Sequence, residues 1–288
     1  MSGKYLLIHN PISGGSKRDF LSLFESRKAQ FPEFDIISTT HVGHAAEIVK
    51  NKFHAYDYFV AVGGDGTINE IASQLQGTDK TLGVIPIGSA NGLAHHLNLP
   101  LDPEKALDQI QHQRSKKIDV IQADDRIFVN VSGVGFDGHI NNLFNETTSR
   151  GLWSYAKLIF QEFLNFKEFD FELKIDNQHV IGRAFVIVLA NTTQYGHNFH
   201  VAPNASTTDG LLHVMVIRKP KFYMVPYLLY TVFKGKILRS KYCSEFKGAK
   251  VDLKVAKQAI HFDGETLDHL IDGDINIQVK PGALNVLV

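Results

Sequence analysis

The rhythm of apolar and polar positions changes near Lys116. Before it, continuous apolar runs alternate with helical periodicity. Tyr5–His9, Phe34–Thr39, Asp57–Val62 and Leu82–Ile87 read as strands. Lys17–Phe31, His44–Phe53, Ile68–Leu75, Leu93–Leu97 and Pro103–His112 read as helices. Strands that are apolar on both faces and alternate with helices imply a parallel sheet covered on both sides.

After Lys116 the runs shorten. Ile118–Gln122 and Arg126–Ser132 flank the turn-like Ala123-Asp124-Asp125, and one clear helix follows at Tyr155–Phe166. Phe169–Ile175, Val180–Ala190 and Leu211–Ile217 come next, the first two separated by Asp176-Asn177 in the manner of a hairpin. Phe222–Phe233 predicts another helix. Val251 to Val288 reads as short strands with turns at Asp272-Gly273 and Pro281-Gly282. The expected fold is an α/β domain with a doubly wound, mainly parallel sheet over residues 1–117. A mostly antiparallel, β-sandwich-like domain is expected over residues 118–288.

Composition narrows the function classes. The 288 residues leave room for two domains, and a 44% hydrophobic share supports a large core rather than disorder. Thirty basic residues balance thirty acidic ones, so no global field draws the chain to nucleic acid, and any affinity for an anionic surface must be local. Cys243 is the single cysteine, which excludes an intrachain disulfide and a zinc-finger ligand set. It fits a reducing compartment, so the expectation is a cytoplasmic protein. Tyr5-Leu6-Leu7-Ile8 is too short for a signal peptide. The later stretch Phe222–Phe233 contains Pro226 and falls short of the roughly 20 residues that span a bilayer, so no transmembrane segment is expected.

Three loops carry the candidate chemistry. Gly63-Gly64-Asp65-Gly66-Thr67, followed by Asn69-Glu70, ends a strand and opens a helix. Its glycines let backbone N–H groups approach an anion, and the helix start adds partial positive charge. A carboxylate inside such a loop repels phosphates unless it helps to hold a cation or accepts a proton; otherwise Asp65 is a helix cap and the glycines serve a turn. Asn10-Pro11-Ile12-Ser13-Gly14-Gly15 follows the first strand, and Pro86-Ile87-Gly88-Ser89-Ala90-Asn91-Gly92 follows the fourth. Neither is a Walker A loop or a dinucleotide fingerprint. In a doubly wound sheet the loops after the first, third and fourth strands converge on one crevice. The fourteen histidines form no metal-site pattern.

These motifs, in this order, resemble the diacylglycerol kinase catalytic family, which includes sphingosine and ceramide kinases and bacterial soluble lipid kinases. Thr39 with His44-Ala45, Asn130 through Gly135-Phe136-Asp137, Ala202-Pro203 with Asp209-Gly210-Leu211, and Phe262-Asp263-Gly264-Glu265 extend the likeness over nearly the whole chain. The resemblance implies ATP and Mg²⁺ in a cleft between a nucleotide domain and a lipid-substrate domain. Asp65, Asp263 and Glu265 are then the catalytic candidates, Asp65 first as the base. Asn10, Ser13, Gly14, Gly15, Thr39, Gly63, Gly64, Gly66, Thr67, Gly88, Ser89 and Asn91 would bind nucleotide. Asp263 and Glu265 would hold the catalytic metal, Asp209 and Leu211 a structural one, and Asp137 and Tyr155 would face the lipid.

The departures concern substrate and metal. Gly92 stands where many bacterial diacylglycerol kinases carry Asp, and Gly88-Ser89-Ala90-Asn91-Gly92 is closer to the sphingosine kinase version. Ser206 and His213 stand where acidic residues are common in the metal loop, which puts the structural metal in doubt. The expected function is an ATP-dependent lipid kinase acting on diacylglycerol or a sphingoid base at a membrane surface, peripheral to its inner face. A homodimer stays open. The rival readings are an NAD-kinase-like enzyme with a soluble substrate and a non-catalytic nucleotide- or lipid-binding regulator.

Overall fold

The computed structural model of the chain describes residues 3–14, 19–146, 152–267 and 269–288. The first part alternates as its periodicity implies: β1 (Tyr5–His9), α1 (Phe20–Arg27), β2 (Phe34–Ser38), α2 (His44–Lys52), β3 (Tyr58–Gly63), α3 (Asp65–Leu75), β4 (Thr81–Pro86), α4 (Gly92–His96) and α5 (Pro103–Ile110). The four strands are parallel in the order β2-β1-β3-β4. Leu6, Ile8, Phe59 and Ala61 pack with α2 and α3 residues on one face. Tyr5, Leu7, Val60 and Val62 pack with α1 and α5 residues on the other. Two-sided burial is why these strands read as unbroken apolar runs.

The rest of the chain is β-rich: β5 (Ser115–Ala123), β6 (Arg126–Phe128), β7 (Val131–Gly135), α6 (Phe136–Glu146), α7 (Leu152–Asn165), β8 (Phe169–Ile175), β9 (Gln178–Ala184), β10 (Val186–Ala190), β11 (Leu212–Ile217), α8 (Val225–Phe233), β12 (Cys243–Gly248), β13 (Lys250–Gln258), β14 (Ile260–Phe262), β15 (Glu265–Thr266) and β16 (Ile271–Leu287). A six-stranded antiparallel sheet runs β12-β11-β10-β7-β14-β15. It packs on the antiparallel part of the first sheet, β16-β13-β8-β9 with β5 and β6, through Phe128, Leu173, Ile187, Val214, Leu253 and Ile277. The α/β fold with a β-sandwich-like second half is thus present.

Three local expectations are corrected. The single runs Arg126–Ser132 and Val180–Ala190 are each two strands in different sheets; the second divides at Phe185, whose carbonyl accepts from Phe136 N–H and whose N–H donates to Ile217. Asp272-Gly273 and Pro281-Gly282 are not turns between short strands, because β16 runs through both with a register shift between Lys280 and Leu284. Strand β16 pairs with β13 near its start and with β4 near its end, so one sheet spans both parts of the chain. Helix α6 was not legible in the periodicity.

Candidate active site

Strands β1 and β3 are neighbours whose chains leave toward opposite sides, toward β2 and β4, which is the switch point where doubly wound sheets bind ligands. The loops after β1, β3 and β4 meet there. Asn10 N–H donates to Val62 O (2.9 Å) and its side-chain amide donates to Thr67 Oγ1 (3.1 Å), which ties the first loop to the start of α3. Ile87 and Gly88 N–H both donate to Gly63 O (3.1 and 3.2 Å). Gly14 lies at φ 83° with its Cα facing Ile87 O, where a methyl group would collide. A methyl group on Gly88 would collide with Gly64, so both loops need bare backbone at this crossing.

Among the expected nucleotide residues, Asn10, Gly14, Gly63, Gly64, Thr67 and Gly88 are therefore tied into one rim, and Asn91 joins it by donating from Nδ2 to Gly88 O (2.8 Å). Ser13 turns beside Asn10, its N–H on Asn10 O (3.2 Å). Thr39 is buried next to the rim with its N–H on His9 O (2.8 Å). Ser89 lends its carbonyl to a hydrogen bond with His197 Nε2. Gly15 lies outside the described residues. Helix α3 begins without a side-chain cap. Its first N–H groups have no intrahelical acceptor, so they are available to an anion.

Asp65 sits at the first position of α3, but its carboxylate reaches across to the start of α4, where the backbone N–H groups of Asn91, Gly92 and Leu93 act on it, Leu93 N–H at 3.5 Å. The capping alternative is thus only partly met, and at the wrong helix. Burial, then the charge of Asp263, pushes its pKa up from 3.8 to about 6. Such a group is ionised at neutral pH yet basic enough to take a proton.

Asp263 has a different life. It lies at φ 49° in the tight turn between β14 and β15, followed by Gly264 at φ 89°. Both oxygens are occupied: Oδ2 accepts from Asn69 Nδ2 (2.8 Å) and Val129 N–H (2.9 Å), Oδ1 from Asn130 and Val131 N–H (2.9 and 3.1 Å). Burial raises its pKa, and these four donors oppose the rise. It fastens the Asp263-Gly264-Glu265 turn to α3 and to the segment between β6 and β7. Glu265 passes over Gly66, where a Cβ would lie 3.0 Å from Glu265 Oε1. Burial and then Glu70 and Asp263 raise the Glu265 pKa. The charge of Asp263 helps to raise both Asp65 and Glu265, and a hard divalent cation at the rim would relieve that local repulsion. Glu265 suits Mg²⁺; Asp263, with its oxygens spent, suits it less.

Several residues named in the sequence motifs take supporting contacts that the sequence did not reveal, and His261 and Tyr195 were not singled out at all. Glu70 accepts from Gly43 N–H and Ala45 N–H (both 2.9 Å) and so holds the start of α2. Asp137 was expected at the lipid; instead Oδ2 accepts from the Tyr195 hydroxyl and from His261 Nε2 (2.9 Å). Burial pushes the Asp137 carboxyl up, but His261 and these hydrogen bonds outweigh it and hold the carboxyl below its usual range. His261 Nδ1 in turn accepts from Gly264 N–H (3.3 Å), so this cluster underlies the Asp263-Gly264-Glu265 turn. Gly92 is crowded by Asn130 and by Tyr195 O (2.8 Å from a Cβ), which leaves no room for an Asp side chain there. Tyr155 lies on α7 with its side chain outside the described residues.

The expected structural-metal loop is closed by the protein itself. Asp209 Oδ1 accepts from Leu211 N–H (3.1 Å) and Oδ2 faces His213 Nε2 (3.3 Å). His213 Nδ1 faces Glu245 Oε1 (2.8 Å), and the ring is buried. No cluster of three or more His, Cys, Asp or Glu side chains that could hold a metal ion occurs among the described residues, at this loop or at the Asp65 rim. The imidazole stands between two carboxylates where a cation would be needed, so Asp209 and Leu211 do not fit a metal here.

Residues 4–123 match the model of the diacylglycerol kinase catalytic domain, and residues 129–288 that of the YegS C-terminal NAD kinase beta sandwich-like domain. A diacylglycerol kinase of Bacillus subtilis (strain 168) is 26% identical over 271 residues, covering 90% of this chain and 88% of the relative. One from Staphylococcus aureus (strain JH9) is 27% identical over 292 residues, covering 97% and 89%. A crystal structure of a diacylglycerol kinase from Bacillus anthracis str. Sterne aligns with a TM-score of 0.76 at 20% identity, covering 100% of this chain and 97% of that one. Yeast NADH kinase complexed with NADH aligns at 0.56 and 12%, covering 98% and 82%. At those identities the two structures speak for the fold alone. The matches to the two domain models, which together take in almost every residue from Lys4 to Val288, make the chain a member of the diacylglycerol kinase catalytic and YegS-like family of kinases that phosphorylate an alcohol.

Proposed function

We propose that the chain is an ATP-dependent lipid kinase, transferring the γ-phosphoryl group of ATP to the hydroxyl of a lipid such as diacylglycerol or a sphingoid base. The observation that carries this reading is the position of Asp65. Its carboxylate, with a pKa near 6, stands at the one rim where three bare-backbone loops meet. The diacylglycerol kinase relatives from Bacillus subtilis and Staphylococcus aureus supply the lipid class.

Phosphoryl transfer depends on positioning and charge neutralisation more than on covalent chemistry. The loops after β1, β3 and β4 and the open start of α3 hold the phosphates. Asp65 orients the acceptor hydroxyl and takes its proton. Asp263 fixes the turn that brings Glu265 over Gly66. Mg²⁺, held by Glu265, would supply charge neutralisation at the transferring group. Asp137 supports this turn through His261 rather than touching the lipid. We keep residues 1–117 as the nucleotide part and 118–288 as the lipid part.

The test is phosphoryl transfer from labelled ATP to diacylglycerol, a sphingoid base and NAD, with Asp65→Asn as the control. Labelled lipid with the wild type and none with Asp65→Asn is expected. Transfer to NAD alone, or ATP binding with no transfer to any acceptor, overturns the lipid kinase reading.

A further inference from the structure

Helix α8 is out of place on the surface of a water-soluble protein. Its nine residues, Val225–Phe233, include no charge, and only Thr231 and Val232 are buried. Tyr227, Leu229, Tyr230 and Phe233 are exposed, and Tyr223 in the turn before it is 70% exposed. Tyr223, Tyr227 and Tyr230 follow one another at helical spacing, so they share a face. The apolar surface continues beyond the helix. Phe222 packs edge-on against Phe160 of α7 (5.2 Å between ring centroids), and Phe160 and Leu164, one turn apart, are themselves exposed. Exposed apolar patches of this extent mark an interaction surface.

The charges around it have one sign. Residues 218–241 contain Arg218, Lys219, Lys221, Lys234, Lys236, Arg239 and Lys241 and no Asp or Glu. Two of these are spent internally. Lys219 Nζ donates to Leu164 O and Phe166 O, closing the end of α7, and Arg218 pairs with Glu168 at 3.7 Å. Lys221, Lys234, Lys236, Arg239 and Lys241 are exposed and have no carboxylate within ion-pair distance among the described residues. Beside Phe222, a shallow cavity of about 390 Å³ is lined by Lys167, Arg183, Arg218, Lys219 and Lys221, with Glu168 the one acid. In a chain of zero net charge this is a strong local excess.

We infer that the α7–α8 face, with its basic border, is a docking surface for an anionic lipid bilayer. A bilayer accepts tyrosine and phenylalanine side chains at its headgroup level, and its anionic phosphates attract the lysines and arginines around them. A protein partner of fixed shape would need complementary acids and buried polar matches; a fluid anionic surface needs only this layout. The surface also reaches the rim of the site. Phe233 packs on Phe199 (5.5 Å), and the segment leading to Phe199 crosses the loop after β4, with Asn91 bridged to Gly196. The purpose of the surface rests on the lipid kinase reading, but docking is measured without catalysis.

The experiment is co-sedimentation of the full chain with phosphatidylcholine vesicles, plain and containing about 30% phosphatidylglycerol, at low and high salt. Wild type is expected to sediment with the anionic vesicles only and to be released by salt. Tyr223→Ser/Tyr227→Ser/Tyr230→Ser and, separately, Lys234→Glu/Lys236→Glu/Lys241→Glu should each weaken the partition by about tenfold or more. Both sets lie on the surface and should leave circular dichroism and phosphorylation of a dispersed short-chain diacylglycerol unchanged. Failure of wild type to bind anionic vesicles, or equal binding by both variants, overturns the inference. So does a dimer in solution that the tyrosine variant dissolves while wild type ignores vesicles, since a second copy then covers the face. Vesicle binding without phosphorylation of any lipid leaves docking standing and removes the kinase reading instead.

Discussion

Asp65→Asn is expected to make the protein more stable and inactive at the same time. The folded structure raises the Asp65 pKa from 3.8 to about 6, through burial first and the charge of Asp263 second. A carboxyl with a raised folded-state pKa favours folding in its protonated form. Its favourable contribution is therefore present below pH 3.8 and is lost as the pH climbs through 6. At about 1.4 kcal/mol per unit, the ionised group costs the fold about 3 kcal/mol above pH 7. Asn is neutral at every pH, keeps an oxygen for Leu93 N–H, and removes that cost. For a chain of this size the gain corresponds to a rise in Tm of roughly 6–12 °C. Thermal melts of both proteins across the pH range are the assay. The gap should be small near pH 4, open through pH 6 and level off above about pH 7. In parallel, wild-type kcat/KM should fall as the pH drops through about 6, because the base is then protonated. Equal melting temperatures near pH 8, or a gap that does not change with pH, would refute the argument that Asp65 is held ionised at a cost for its chemistry.

Two other carboxylates should cost stability when removed. Asp263→Ala strips the acceptors from Val129, Asn130 and Val131 N–H and from Asn69, and should cost about 3–6 kcal/mol in chemical denaturation, since each unpaired buried group carries its full desolvation penalty. Glu70→Ala frees Gly43 N–H and Ala45 N–H at the start of α2 and should cost about 1–2 kcal/mol in the same assay. Gly88→Ala forces the β4–α4 loop off Gly64 and should lower kcat/KM for ATP by on the order of a hundredfold, with the melting curve changed far less.

The sequence by itself carried the first four strands, because burial on both faces writes itself as unbroken apolar runs. It also carried the three glycine-bearing loops, because only bare backbone at Gly14, Gly64 and Gly88 lets the chains cross so closely. What it could not carry is any pairing between distant segments. Asp263 looks like an ordinary hairpin residue until Val129, Asn130, Val131 and Asn69 are seen converging on it from 132 to 194 residues away. The Asp209 loop resembles a metal site until His213 and Glu245 are seen closing it. The division of Val180–Ala190 between two sheets is invisible because no turn residue marks Phe185, where the chain passes from one to the other. Local periodicity reports which side of an element avoids water; tertiary structure alone decides which polar groups are then left facing one another, and so which carboxylate is spent on the fold and which is free to act.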